Sequence, residues 1–134
     1  MTHTVTAMAE THPSPADIDQ KLLAECIAAC VECAQTCTAC ADACLAEDMV
    51  ADLRQCIRTD LDCADVCEAT GRVLSRQTVP DLAIIRGMLQ ACAQACKSCG
   101  DECGQHASMH EHCRVCAESC RTCEQACRDL LSSL

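Results

Sequence analysis

The chain has 134 residues, enough for one domain, and a formal charge of −10. That charge argues against nucleic acid and against an anionic membrane surface, both of which recruit Lys and Arg, and it suits a cationic ligand. Eighteen residues are cysteine and none is Phe, Trp or Tyr, so something besides ordinary apolar packing must fill the interior.

Residues 1–14 carry neither a basic n-region, nor an apolar h-region, nor a twin-Arg pair. They are expected to form a disordered tail, and His3 and His12 within it are given no role. No apolar run is expected to cross a membrane. The chain is therefore expected to be cytoplasmic, where thiols stay reduced. Eighteen reduced thiols on one small chain call for a metal.

Residues 15–134 read as all-α, an antiparallel up-down-up-down four-helix bundle with a cysteine-lined lumen. The expected helices run over about 15–46, 49–75, 79–104 and 108–132. Ser14-Pro15 opens the first, with Ser14 as cap and Pro15 in the first turn. Its cysteines, Cys26, Cys30, Cys33, Cys37, Cys40 and Cys44, recur at steps of 4-3-4-3-4, which is one face of a helix. Asp48 is the expected cap of the second helix. That helix carries Cys56, Cys63 and Cys67, with Asp60 on the step where another cysteine would complete the stripe. Thr78-Val79-Pro80-Asp81 opens the third, which carries Cys92, Cys96, Cys99 and Cys103. Ser108 and Glu111 form an expected capping box before Cys113, Cys116, Cys120, Cys123 and Cys127 in the fourth.

In an ordinary bundle such a seam holds Leu and Ile. Cysteine can serve as a small hydrophobe, but a seam made almost wholly of it points to soft thiolate ligands for a soft metal. Neighbours at i,i+3 and i,i+4 have Cβ atoms roughly 5–6 Å apart, so CxxC and CxxxC both act as two-coordinate clips. Two thiolates suit copper(I). An isolated copper held by two thiolates carries a negative charge that is costly in a low-dielectric lumen. Bridging thiolates bring metal and sulfur to parity and remove that cost, which predicts about one Cu(I) per Cys, roughly eighteen per chain. Zinc is the alternative cargo, because four facing stripes also offer tetrahedral sets.

The two ends of the seam differ. Leu22, Leu74, Ile85, Leu130 and Leu134 extend it at one end as an apolar plug, with Met88 packing nearby. Met49, His106, Met109 and His110 extend it at the other, with His112 close by. Imidazole and thioether are borderline or soft ligands, so this mouth is the expected copper entrance.

The segments CIAACVECAQTCTACADAC, CIRTDLDCADVC, CAQACKSCGDEC and CRVCAESCRTCEQAC resemble those of the bacterial copper storage proteins, in particular the cytosolic branch that lacks a signal sequence. The resemblance covers residues 17–131. It implies a four-helix bundle with thiolates lining the lumen, copper(I) storage, and a homotetramer; no enzyme activity is expected, because no polar catalytic constellation accompanies the thiols. Copper ions are the implied partners, with a copper chaperone or copper-requiring enzyme as the candidate protein partner. Asp60 departs from an all-cysteine stripe and is expected to lower the capacity of its wall.

Overall fold

The computed structural model describes residues 2–134. It is all-helical, with no strand among the described residues: α1 (Thr2–Glu10), α2 (Gln20–Leu45), a 3₁₀ turn (Val50–Leu53), α3 (Arg54–Ser75), α4 (Leu82–His106) and α5 (Glu111–Ser133). Helix α2 packs on α3 and α5, and α4 packs on the same two, closing a ring of four contacts; α1 lies against α2. The cysteine stripes of α2 to α5 all turn into the middle of this ring. Every one of the 18 thiols is buried, with at most 2% of any residue exposed.

The starts of the helices differ from the simplest reading of the sequence. Helix α2 begins at Gln20, because Asp19 rather than Ser14 accepts the Leu22 N–H at 3.0 Å. Buried Gln77 holds the preceding segment: its Oε1 accepts from the Ala16 N–H at 3.1 Å and from Gln20 Nε2 at 2.9 Å. Backbone groups bound this way are withdrawn from a helical ladder. Asp81 caps α4 by accepting from the Ala83 N–H, so Pro80 lies just outside the helix. Asp48 caps nothing; α3 is entered through the 3₁₀ turn without a side-chain cap. The Ser108–Glu111 capping box is also absent. His110 is the N-cap residue of α5, and the Glu111 carboxylate turns instead to Arg114.

Two further expectations are corrected. Residues 2–10 form α1 rather than a disordered tail, because Val5 packs against the core and tertiary contact stabilises a helix too short to persist alone. His12 Nε2 faces Thr78 Oγ1 at 3.4 Å. Helix α2 is long and apolar enough, by length and composition, to cross a membrane. Its apolar character comes from alanines and from the same cysteines that face the core, with Leu23 and Ile27 buried beside them.

Candidate metal centre

The four stripes bring their sulfurs into contact along the whole length of the interior. Near one end Cys26 meets Cys127 at 3.7 Å, and Cys30 meets Cys123 at 3.8 Å. In the middle Cys67 lies 3.7 Å from both Cys92 and Cys96, and Cys37 lies 3.7 Å from Cys116 and Cys120. Further along, Cys56 and Cys103 are 3.5 Å apart. These are packing distances between thiols, which serve here as small core side chains.

The same contacts define sites for an ion. The sulfurs of Cys33, Cys63, Cys67 and Cys96 all lie within 4.8 Å of one another, as do those of Cys37, Cys99, Cys116 and Cys120. At the two ends, Cys30, Cys92, Cys123 and Cys127 form one such group and Cys40, Cys44, Cys56 and Cys113 another. A metal–sulfur bond of roughly 2.3 Å places two thiolates about 4.6 Å apart across a linear ion, so each group can close on metal with small side-chain movements. The groups are not separate. Cys33, Cys37, Cys63 and Cys120 make a further set within the same limit, so one sulfur serves adjacent sites. Shared sulfurs are what a bridged thiolate array requires.

Among the described residues Asp60 is the one fully buried carboxylate, with no exposed surface. Its Oδ1 accepts from Cys99 at 3.0 Å, Cys116 at 3.2 Å and Cys103 at 3.4 Å. Burial first, and then proximity to Cys99, push its pKa up to about 9, so the carboxyl stays protonated at neutral pH. It replaces a sulfur on the stripe with an oxygen that three thiols already face. Burial likewise pushes the Cys44 thiol up to about 11. Copper binding at Cys44 therefore has to displace a proton.

The apolar end contains Leu74, Ile85 and Leu130, all buried, while Leu22 packs at its edge. Leu23 and Leu89, which also fill it, are more deeply buried than Leu22. At the opposite end, His110 is buried, whereas Met49 and Met109 point outward and are 43% and 61% exposed. The two methionines are therefore not packed on the thiols. His106 is half-buried, and its Nε2 and that of His110 are both buried without a hydrogen bond. Fully buried Leu53 lies just before α3.

Residues 19–132 match the family model for copper storage proteins. The chain belongs to the copper storage protein family. Among solved copper storage proteins, one from Streptomyces lividans loaded with 10 copper equivalents is 60% identical, with a TM-score of 0.94 over 97% of this chain and 99% of that one. A cytosolic copper storage protein from S. lividans carrying five coppers is 65% identical, with a TM-score of 0.84 over 85% of this chain and 95% of that one. The Cu(I)-bound copper storage protein BsCsp3 is 37% identical, with a TM-score of 0.71 over 79% and 94% of the two chains. No curated protein sequence matches. Zinc finds no support among these copper storage proteins.

One side chain that faces the thiols lies off the stripe on which the sequence reading of this copper storage protein rests. His112 Nδ1 sits 3.4 Å from Cys40 Sγ and 3.6 Å from Cys113 Sγ. It is adjacent to Cys113, so helical periodicity sets it aside. The signal that could have found it is its chemistry: three imidazoles fall within residues 106–112, between two cysteine stripes.

Proposed function

We propose that this chain stores copper(I) in the cytosol, holding about one ion per cysteine on bridging thiolates, roughly eighteen in all. The observation that carries the reading is the run of overlapping four-sulfur groups, each within 4.8 Å and all fully buried. The ligand set is Cys26, Cys30, Cys33, Cys37, Cys40, Cys44, Cys56, Cys63, Cys67, Cys92, Cys96, Cys99, Cys103, Cys113, Cys116, Cys120, Cys123 and Cys127. Exchange of one thiol proton for one copper(I) leaves the charge of the core unchanged, which permits many ions in a water-poor interior. No catalytic step is part of this role.

The proposed architecture is an antiparallel up-down-up-down four-helix bundle over residues 15–134. Support comes from register: Cys26 pairs with Cys127, Cys33 with Cys120, and Cys40 with His112, so numbers rise along α2 as they fall along α5. Assembly into a homotetramer follows family resemblance. Exposed Val31, Leu61, Ile84 and Val115 offer apolar outer surface for such contacts. Cytosolic placement agrees with 18 free thiols, and copper delivery or withdrawal by a chaperone or a copper-requiring enzyme completes the cycle.

Copper is proposed to enter at the end that carries His106 and His110, with Met109 and Met49 at its outer rim. The Nε2 of His110, buried without a hydrogen bond, supports this route, while that of His106 faces the Glu102 carboxylate at 3.5 Å. Neutral donors bind copper(I) without adding charge, and the opposite end is closed by buried Leu74, Ile85 and Leu130. Competition between zinc and copper(I) for the reduced apoprotein tests the choice of metal. Copper(I) should displace bound zinc completely at one equivalent per thiol; retention of zinc in excess copper would favour a zinc buffer.

A further inference from the structure

The mouth histidines are held by a residue outside every cysteine stripe. Glu47 lies in the turn between α2 and the 3₁₀ segment, where its own N–H donates to the Cys44 carbonyl at 3.2 Å. Its Oε2 lies 2.9 Å from His110 Nδ1 and 2.9 Å from His112 Nε2. The two rings stack at a centroid distance of 5.6 Å and an interplanar angle of 22°.

A carboxylate accepts hydrogen bonds and cannot donate them, whereas a neutral imidazole has one N–H and one bare nitrogen. Both nitrogens that face Glu47 must therefore be the protonated ones. This fixes the opposite nitrogens as lone pairs. His112 Nδ1 is then an acceptor aimed at the sulfurs of Cys40 and Cys113. His110 Nε2 is a lone pair in a buried position where no protein group donates to it. One carboxylate oxygen thus leaves two ligand-competent nitrogens, one on the thiols and one on the approach to them.

We propose that Glu47 is a positioning residue for copper entry: it fixes the tautomer and orientation of His110 and His112 together, so that each presents a bare nitrogen to an incoming copper(I). This rests on the storage reading and on entry at this end. It matches the general way in which a metal-binding imidazole is oriented by a carboxylate on its far nitrogen. The Glu47 carboxylate meets Nε2 of His112 while the sulfurs of Cys40 and Cys113 face its Nδ1, so the ring links the carboxylate to the thiols. Glu47 itself is a third exposed, so its loss removes little packing.

The test uses the full chain, with Glu47→Ala and Glu47→Gln. Long-range ¹H–¹⁵N spectra of the copper-free protein at pH 8 report the tautomer of each ring. The wild type should show His112 protonated on Nε2 and His110 on Nδ1. Glu47→Ala should give mixed tautomers at both, and stopped-flow loading with copper(I) supplied on a weak chelator should slow by about 10–100-fold. Glu47→Gln keeps an oxygen acceptor and should restore the wild-type tautomers and much of the rate. Wild-type tautomers in Glu47→Ala, or a Gln variant as slow as Ala, would overturn the proposal. Since the tautomer measurement involves no copper, it separates failure of this clamp from failure of the storage reading.

Discussion

Replacing Asp60 with Asn should remove a specific pH dependence from the stability of the copper-free protein. The carboxyl is fully buried, and burial followed by Cys99 pushes its pKa up to about 9. An unfolded aspartate titrates near 3.9. Between those values the folded chain keeps a proton that the unfolded chain has lost, so stability falls as pH rises, by up to about 1.4 kcal/mol per unit. The contribution is complete below the unfolded pKa and is lost as pH climbs toward the folded one. Over two units, from about pH 5.5 to 7.5, the loss approaches about 3 kcal/mol, a large share of the stability of a small domain. His112 acts in the same sense: burial opposes its charge, yet Cys40 and Glu47 together raise its pKa. Some slope should therefore remain after substitution. Guanidinium unfolding of reduced apoprotein at several pH values provides the measurement. The wild type should lose stability across this range, and Asp60→Asn should be markedly flatter. Equal slopes in the two proteins would show that Asp60 is already ionised in the fold, and would refute the assignment of a protonated carboxyl among the thiols.

Other expected outcomes concern the two ends of the core. Replacing His106, Met109 and His110 together with Ala should slow copper(I) loading and chelator-driven release in stopped-flow experiments while most of the capacity is kept; wild-type rates would place the entrance elsewhere. Leu130 is fully buried, so Leu130→Ala should lower apoprotein stability by roughly 2–5 kcal/mol with little change in loading rate. Faster loading on opening that end would contradict its role as a plug.

The interior was legible because the cysteines themselves carry the helical period. Steps of 4-3-4-3-4 from Cys26 to Cys44 leave only one face for them, and that face is the buried one. Asp60 could be placed on the same stripe by spacing alone, but its contacts with Cys99, Cys103 and Cys116 join α3 to α4 and α5 and needed the fold. Helix starts were harder to read. Ser14 and Asp19 are both competent caps, and the choice was made by Gln77, more than fifty residues away in sequence. Helix α1 is only 9 residues long, and its existence depends on Val5 meeting the core. Met49 and Met109 lie near the right end in sequence but point outward, because a residue in a turn is not bound by the helical period. Glu47 gave no signal at all, since its partners lie 63 and 65 positions further along the chain.

The central claim is that the thiols act as a bridged copper(I) store, and the saturation point of a copper(I) titration tests it most directly. Reduced apoprotein should be titrated against a weak copper(I) chelator, with bound copper and released protons both counted. A bridged array predicts an end point near one copper per cysteine, close to the 18 thiols of the chain, with about one proton released per ion. Separate tetrahedral sites drawing on the same thiols would instead saturate at about four or five ions, and that result would contradict the account.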